Sequence, residues 1–441
     1  MPSVPIHADT LIDARWVIPV EPAGVVLSNH SVAVSEGAVI DVLRTAEAHS
    51  RYAARDHVQL DRHAVIPGLI NLHTHAAMTL MRGVRDDVSL MEWLNRYIWP
   101  AELKFASPEL VRDGTLLACA EMMRGGITCF NDMYFFPEAA ADAALQTDMR
   151  AAMGIIVVEF PSPYAADASD YLAKGLAMRD ALRDEPLLSF CIAPHAPYSV
   201  SDASFERVAT YAAELDLPVH IHLHETLDEI HESLKAHNER PIRRLQRLGL
   251  LGPNLIAVHA VHLDDAEIQL LAGEGCHIAH CPSSNLKLAS GIARVGAMCS
   301  AGINLGLGTD GAASNNRLDM LAEMRLAAVL AKGHSNDPTA LPAQVALEMA
   351  TINAARALGL DHRIGSLRPG KRADIVAIDF DALELSPCYD PLSHLVYVAG
   401  REHVTHVWID GKLRMKDRAI PDIDFAELKA KARHWREKIR S

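Results

Sequence analysis

The sequence predicts an α/β fold: a (β/α)8 TIM-type barrel with a small β-sandwich domain built from both chain ends. Eight short apolar runs alternate with helical patterns through the middle of the chain. This alternation is typical of parallel strands, and eight is the number that closes a barrel. Strand-rich segments with turn signals flank this middle on both sides. Polar residues gather at the C-terminal ends of the runs, where a barrel of this kind places its chemistry.

The two chain ends carry the strands and turns of the small domain. Glu36-Gly37, Pro369-Gly370 and Asp410-Gly411 are turn signals, and the last of them is typical of a hairpin. We expect residues 1–64 and 366–441 to form this domain, and residues 65–365 to form the barrel. The predicted strands of the small domain are Leu11–Val20, Ser31–Val34, Ala38–Val42, Ala373–Asp379 and His403–Ile409.

The barrel strands are predicted where the apolar runs lie, and the helices where apolar residues recur with helical spacing. The predicted strands are Val65–Leu72, Ile127–Asn131, Ala151–Val158, Leu188–Ala193, Pro218–Leu223, Leu255–His259, His277–His280 and Ile303–Gly308. The clearest predicted helices are Glu109–Arg124, Ser204–Leu215, Asp264–Gly273 and Leu318–Leu330.

Composition excludes some classes of binding partner and indicates a cellular compartment. The 441 residues carry 42 basic and 56 acidic side chains, a formal charge of −14, without a long Lys/Arg run. We therefore expect no nucleic-acid binding. No apolar stretch reaches the ~18–20 residues of a membrane span, and Met1–Val20 lacks the pattern of a signal peptide. Seven cysteines without a CxxC pair favour reduced thiols in the cytoplasm.

Two histidines at the end of the first apolar run form a candidate metal site. His73 and His75 stand two positions apart, so a strand presents both imidazoles on the same side. Zinc favours such nitrogen ligands. For an isolated His-x-His, two unrelated histidines that happen to be neighbours are an equal interpretation.

Three histidines and a glutamate close the fifth run. His220, His222 and His224 occupy alternate positions and share one face, so spacing alone does not identify a ligand. Glu225 follows where the strand gives way to a loop, and a carboxylate beside an activated water can shuttle protons. A polar strand end with satisfied histidines is the alternative.

Single polar residues end two further runs. His259 closes the sixth run, and Asp310 follows the eighth in Leu-Gly-Thr-Asp-Gly. A buried carboxylate needs a partner, whereas a turn or a helix cap is the alternative for a lone Asp. Four such strand ends together make coincidence improbable, and the set predicts a metal centre at the barrel mouth.

The stretches around these residues resemble the amidohydrolase superfamily, and more narrowly its 5′-methylthioadenosine/S-adenosylhomocysteine deaminase group, whose members are often labelled chlorohydrolases by similarity. The resemblance covers essentially the whole chain, and the motifs are specific in combination. They are PGLINLHTHAAMTLMRGV (67–84), WPAE (99–102), APHAPYSV (193–200), HIHLHET (220–226), AVHAVHL (257–263), HCPSSNLKL (280–288) and LGTDGAASNN (307–316).

The resemblance implies a role for each site residue. Glu225 would shuttle protons and contact the purine, and His259 would polarise the water or the developing tetrahedral centre. Glu102 and His195 match positions that contact the nucleoside sugar and neighbouring groups. From the residues alone, an exposed helix carboxylate and a loop imidazole are the better interpretations of these two. Asp310 would bind the metal and the substrate and also accept a proton. The implied metal ligands are His73, His75, His222 and Asp310.

The resemblance also implies the cofactor and the reaction. Two-metal members use a modified Lys at the end of the fourth strand, and Ile192–Pro197 contains no Lys. We therefore expect one divalent ion, Zn2+ first, although N/O ligands also accept Fe2+, Mn2+ or Co2+. The implied reaction is hydrolytic deamination at C6 of an adenine nucleoside: 5′-methylthioadenosine, adenosine or S-adenosylhomocysteine. A homo-oligomer, either a dimer or a tetramer, is implied as well.

One departure bears on the substrate. Members that handle the amino-acid tail of S-adenosylhomocysteine carry an Arg after the third strand, and Pro161–Ala173 contains none. An uncharged 5′ tail, as in methylthioadenosine, is therefore favoured. The alternatives are a deaminase or chlorohydrolase of guanine, a pterin or an s-triazine, and a non-catalytic metal-binding relative. The sequence leaves the roles of Trp93, Trp99 and His280 open.

Overall fold

The computed structural model describes residues 5–440. Residues 1–4 and 441, which belong to the predicted small domain, lie outside the described residues. Two sheets organise the described chain: a seven-stranded mixed sheet and an eight-stranded parallel sheet surrounded by helices. The predicted fold class is confirmed.

The elements alternate along the chain as the apolar runs predict. The strands are β1 (Ile6–Val17), β2 (Leu27–Ser35), β3 (Ala38–Arg44), β4 (Tyr52–Pro67), β5 (Leu69–Thr74), β6 (Ile127–Asp132), β7 (Arg150–Val157), β8 (Leu188–Pro194), β9 (Val219–Leu223), β10 (Leu255–His259), β11 (His277–His280), β12 (Asn304–Leu307), β13 (Ile375–Asp379), β14 (Val404–Ile409) and β15 (Lys412–Met415). The helices are α1 (Thr45–Arg51), α2 (Leu90–Trp93), α3 (Trp99–Phe105), α4 (Pro108–Arg124), α5 (Pro137–Gln146), α6 (Ala168–Leu182), α7 (Asp202–Leu215), α8 (Leu227–His237), α9 (Pro241–Arg247), α10 (Asp265–Gly273), α11 (Pro282–Lys287), α12 (Val295–Ser300), α13 (Met320–Ser335), α14 (Ala343–Met349), α15 (Ile352–Ala357), α16 (Pro391–Tyr397) and α17 (Phe425–Arg440).

The seven-stranded sheet takes strands from both ends of the chain, in the order β15-β14-β13-β4-β1-β2-β3. Strand β4 joins the two halves, because it pairs parallel to β1 and antiparallel to β13. The predicted hairpin at Asp410-Gly411 connects β14 and β15. Both residues have positive φ, 54° and 78°, as a type I′ turn requires. The domain boundaries at 64/65 and 365/366 stay a prediction.

Strands β5 to β12 form the barrel, each parallel to its neighbour in chain order. Its first and last strands, β5 and β12, are joined by hydrogen bonds at the candidate site residues. The Asp310 amide donates to the His73 carbonyl at 3.0 Å, and the Thr309 amide donates to Asn71 Oδ1 at 2.9 Å. The ends of β5 and β12 are thereby held together at the barrel mouth.

The first predicted run, Val65–Leu72, is divided between the two sheets, so its interpretation as one barrel strand was wrong. Val65–Pro67 ends β4, and β5 begins at Leu69. Gly68 lies at the crossing, where an added Cβ would stand 1.9 Å from Thr128 Oγ1, so only glycine fits there without a shift. Both sides of the crossing are buried, and hydrophobicity alone therefore gives no sign of the boundary.

Within residues 5–440, none of the helices combines the length and the apolar character that crossing a bilayer demands.

A buried ion pair ties the barrel to the mixed sheet and predicts a large effect on stability. Arg150, at the start of β7, donates to both carboxylate oxygens of Asp374 at 2.8 and 3.0 Å and to Asp410 at 3.2 Å. The Arg150 side chain is 4% exposed. Replacing Arg150 with Met leaves the buried Asp374 carboxylate without its ion-pair partner, and we expect it to lower the free energy of unfolding by about 3–5 kcal/mol.

Urea unfolding of the full chain tests this expectation, with Arg96→Ala as the control. Arg96 pairs with Glu92 on the surface, and exposed pairs of this kind contribute about 0.3–0.5 kcal/mol. Equal losses in the two variants would show that the Arg150 pair does not hold the two sheets together.

Candidate active site

The four implied metal ligands come together at the C-terminal ends of β5, β9 and β12. His73 lies in β5 with His75 just after it, His222 lies in β9, and Asp310 follows β12. His73 Nε2 is 3.3 Å from His222 Nε2 and 3.4 Å from Asp310 Oδ1. His75 Nε2 is 3.3 Å from the same Asp310 oxygen. Residues up to 237 positions apart in the sequence thus have donor atoms that lie close together.

The spacing of these donor atoms fits a divalent cation. Ligands on a tetrahedral ion with bonds of ~2.0–2.1 Å are separated by about 3.3–3.4 Å. The His73–His222, His73–Asp310 and His75–Asp310 separations, three of the six among these donor atoms, are 3.3, 3.4 and 3.3 Å. Three imidazole nitrogens and one carboxylate oxygen are also a donor set that divalent ions such as zinc bind.

In each of the three imidazoles, Nδ1 has a hydrogen-bonding partner of its own. His75 Nδ1 donates to the Met133 carbonyl at 2.5 Å, and His222 Nδ1 donates to the His195 carbonyl at 2.7 Å. Because a carbonyl only accepts, Nδ1 carries the hydrogen, and Nε2 is the nitrogen available to a cation. His73 Nδ1 lies 3.0 Å from His220 Nε2. Such partners orient metal-binding histidines and fix their tautomer.

The three imidazoles differ in the direction of their pKa shifts. Burial lowers the pKa of His73 to about 4 and that of His222 well below its usual range, so both are neutral. Burial acts in the same direction on His75, but the hydrogen bond and the negative charge of Asp310 outweigh it and raise the pKa to about 9. Asp310 itself is ionised, because His73 and His75 outweigh its burial and hold its pKa well below the usual range.

Asp310 is fixed by its neighbours. Its Oδ1 accepts from the Gly311 amide at 2.7 Å, and its Oδ2 accepts from Ser284 Oγ at 2.6 Å. Its φ is 60°, a left-handed conformation that Asp tolerates better than most residues. The carboxylate is therefore held in one orientation, which explains why a buried acid ends this strand.

Gly308 packs directly against the candidate ligand His73, and this close contact leads to a prediction. A Cβ at this position would lie 2.9 Å from the His73 Cβ and from its backbone nitrogen. Gly308→Ala must therefore displace His73, and we expect zinc affinity to fall by about 10–100-fold, as when the support of a ligand is lost.

The measurement is zinc bound after dialysis against a competing chelator. Gly333→Ala in α13 is the matched control, since nothing lies within 4 Å of an added Cβ there, and it should bind zinc as the unchanged chain does. Normal zinc affinity in Gly308→Ala would contradict the packing argument.

Glu225 and His259 stand beside the candidate metal position. Glu225 Oε2 is 3.8 Å from His259 Nε2, and Ser290 Oγ donates to Glu225 Oε1 at 3.4 Å. Burial raises the pKa of Glu225. His259 Nδ1 contacts Asn285 Oδ1 at 2.8 Å, which directs Nε2 toward the site. The donor atoms of His259, His73 and His222 lie within 4.8 Å of one another.

A cavity leads from these residues to the solvent and encloses about 740 Å³ of space, including its open mouth. Its base contains His75, His222, Glu225, His259 and Asp310. Its walls are mainly apolar and aromatic, and its described lining includes neither Lys nor Arg. The aromatic lining residues are Trp93, Trp99, Tyr134, Phe135, Phe160 and Tyr198.

Glu102 and His195 both line this cavity, so neither is an exposed surface residue. Glu102 lies on α3 and is 8% exposed. Burial raises its pKa to about 7, although the neighbouring Tyr134 opposes the rise. His195 follows β8, its Nδ1 contacts Ser199 Oγ at 3.0 Å, and burial lowers its pKa to about 3.

The structure also places the residues whose roles the sequence left open. Trp93 and Trp99 line the cavity. His280 is buried, lies outside the cavity lining, and has no hydrogen-bond partner for either ring nitrogen within the described chain.

Sequence reasoning missed several supporting residues. His220 contacts His73, Ser284 donates to Asp310, and Asn285 contacts His259. Two signals pointed to them: the first His of the alternating His220–His224 series, and the Ser-Ser-Asn of the motif at 280–288.

Comparison with known proteins agrees with this geometry. The amidohydrolase family model matches residues 64–414. The 5-methylthioadenosine/S-adenosylhomocysteine deaminase of Saccharophagus degradans is 45% identical over 98% of this chain and 97% of its own length.

Two solved structures share the fold. A crystal structure of an adenosine deaminase from Xanthomonas campestris with bound zinc is 50% identical, with a TM-score of 0.98 over 99% of this chain and all of that one. The atrazine chlorohydrolase of Arthrobacter aurescens is 24% identical, with a TM-score of 0.88 over 97% of this chain and 99% of its own, and shows the fold alone. The family match and the full-length relatives confirm the resemblance read from the motifs, and the chain belongs to the amidohydrolase family.

Proposed function

We propose that this protein is a metal-dependent deaminase that hydrolyses the C6 amino group of an adenine nucleoside, with 5′-methylthioadenosine as the favoured substrate. One observation carries the proposal: Glu225, His259 and three candidate ligands, His75, His222 and Asp310, line a cavity that also contains Glu102. The fourth candidate ligand, His73, lies directly beside them. The 45% identical relative that is named a methylthioadenosine/S-adenosylhomocysteine deaminase supports the reaction, and the 50% identical adenosine deaminase supports it as well.

His73, His75, His222 and Asp310 would hold the cation, and we propose zinc because the donor set and the zinc-bound structure both support it. When bound, a divalent ion supplies a water that is nucleophilic at neutral pH. Fe2+, Mn2+ or Co2+ would suit the same nitrogen and oxygen donors.

The residues around the cation would manage the protons. Glu225 donates a proton to the purine ring nitrogen as C6 is attacked, and its raised pKa keeps that proton available. His259 stabilises the developing oxygen at C6. Asp310 accepts the proton of the attacking water, which then leaves with the amino group as ammonia. The proton that remains on the C6 oxygen returns to Glu225, so the product has a C6 carbonyl and a protonated ring nitrogen. One water is consumed and one ammonia is released for each purine.

The other polar residues of the cavity would bind the sugar. Glu102 accepts hydrogen bonds from the two ribose hydroxyls, for which a carboxylate has enough acceptor sites. Tyr134, a neighbour of Glu102 that acts to lower its pKa, would orient that carboxylate. His195 is neutral because burial lowers its pKa, so it offers a nitrogen lone pair or an N–H without a charge.

The cytoplasm is the compartment we propose, on the cysteine pattern of the sequence. A homo-oligomer, a dimer or a tetramer, stays a prediction from the resemblance.

Ammonia release after defined zinc loading, with chloride release measured for a chlorinated s-triazine, tests the proposed reaction. We expect turnover of methylthioadenosine and adenosine, and far lower turnover of guanine, a pterin and an s-triazine. Preferential turnover of any of the latter three would overturn the adenine assignment, and turnover of none of the panel would indicate a non-catalytic relative.

The lining of the cavity predicts a preference between the two thioether nucleosides. S-Adenosylhomocysteine carries a carboxylate on its 5′ tail, and neither a Lys nor an Arg lies among the described lining residues. We expect kcat/KM for S-adenosylhomocysteine to be at least about tenfold below that for methylthioadenosine, since an unpaired charge must be desolvated. Steady-state kinetics on both substrates measures this, and equal or reversed values would refute the preference.

A further inference from the structure

We propose a second zinc site on the mixed sheet, formed by Asp13, His49 and His57. These residues lie on β1, α1 and β4, which belong to the seven-stranded sheet and its helix, not to the barrel mouth. None of them lines the active-site cavity. The proposal is independent of the proposed function.

The three side chains meet at one oxygen atom. His49 Nε2 lies 2.7 Å and His57 Nε2 lies 2.6 Å from Asp13 Oδ2. The two imidazole rings stand edge to face with centroids 4.7 Å apart. One donor atom from each residue falls within 4.8 Å of the other two.

The Asp13 carboxylate is buried in the sheet, whereas the two imidazoles are partly exposed to solvent. The Asp13 side chain is 7% exposed, and Ser31 Oγ donates to its other oxygen at 2.5 Å. Ser31 lies directly opposite Asp13 in the β1–β2 pairing, which fixes this contact. The side chains of His49 and His57 are 43% and 37% exposed, so an ion can reach their nitrogens from the solvent.

Two imidazole nitrogens and one carboxylate oxygen are a common protein set for zinc, with solvent water completing the coordination. In the hydrogen-bonded arrangement each Nε2–H donates to Asp13. Zinc requires both Nε2 lone pairs, so each neutral imidazole places its hydrogen on Nδ1, and no net proton is lost. Ser31 then acts as the outer partner that orients the carboxylate.

The spacing of the donor atoms also predicts which of the two sites binds zinc more tightly. Zinc ligands are separated by about 3.3 Å, a spacing that the barrel-mouth donors already have. The imidazoles of His49 and His57 must move outward by about 0.6 Å from Asp13 to reach it. We therefore expect the second site to bind zinc more weakly than the first and to fill after it.

The test is a zinc titration of the full chain whose barrel-mouth site is already loaded. The unchanged protein should take up about one further equivalent of zinc, as a three-ligand site of this kind binds one ion. His49→Ala/His57→Ala should take up none and keep its deaminase activity. The control His7→Ala/His30→Ala removes two histidines of the same sheet outside the triad, and it should bind the further equivalent.

A second readout identifies the ligands. Cu2+ added to the zinc-loaded protein should give an electron paramagnetic resonance spectrum with hyperfine lines from two imidazole nitrogens. The His49→Gln/His57→Gln variant, which keeps polar side chains at both positions, should lack them. If the double variants and the unchanged chain take up the same amount of zinc, whether one further equivalent or none, the three residues form only a hydrogen-bonded cluster and the proposal is wrong.

Discussion

Glu225→Gln is expected to lower kcat for methylthioadenosine by about 10²–10⁴-fold, the range that a general acid or base contributes. The amide matches the carboxyl group in shape but neither accepts nor delivers the proton that the purine ring requires. Glu225 is buried at the base of the cavity, and burial raises its pKa. Zinc content should equal that of the unchanged chain, because the proposed ligands are four other residues. Steady-state kinetics combined with metal analysis measures both quantities.

Glu232→Gln is the matched control for this variant. Glu232 lies on α8, which follows Glu225, and its side chain is 69% exposed, so its kcat should equal that of the unchanged chain. Loss of zinc in Glu225→Gln would reassign Glu225 to the metal ligands. Activity within a few-fold of normal would remove Glu225 from the proton path.

His222→Ala is expected to lose zinc and to lower kcat/KM by at least about 10²-fold, since the activated water depends on the ion. The variant removes an imidazole whose Nε2 is 3.3 Å from that of His73 and whose Nδ1 is fixed by the His195 carbonyl. The loss of the side chain therefore removes a ligand, whereas the His195 carbonyl keeps its hydrogen bond from the residue 222 amide.

Two controls separate these effects. His231→Ala removes an exposed histidine of α8 and should retain zinc and activity. Removing zinc from the unchanged chain with a chelator should abolish turnover, and adding zinc back should restore it, whereas His222→Ala should not recover. Full activity of His222→Ala without bound metal would contradict a metal-dependent reaction.

The sequence predicted the barrel because its signal is local and repeated. Seven of the eight apolar runs each correspond to one barrel strand, His259 ends β10, and Asp310 follows β12. The error at Val65–Leu72 arises where two cores adjoin, because burial continues across Gly68. Strand β4 was missed over most of its length, since Asp56–Arg62 is polar and largely exposed, and its pairing partners lie far away in the chain.

The sequence predicted that the candidate ligands would come together, but it did not predict the residues that support them. Spacing could not distinguish His220, His222 and His224, because alternate positions of a predicted strand share one face. Only the fold shows that His222 faces the other ligands, that His220 contacts His73 and that His224 contacts the His262 carbonyl. Residue patterns also gave no reason to bury Glu102, whose position depends on how α3 covers the barrel mouth.

Anomalous X-ray diffraction at the zinc edge, on crystals of the zinc-loaded chain, tests the central claim most directly. The account predicts that the strongest peak is bonded to Nε2 of His73, His75 and His222 and to Oδ1 of Asp310, at about 2.0–2.2 Å from each. A strong peak elsewhere in the molecule, with these four side chains bonded to no ion, would contradict it.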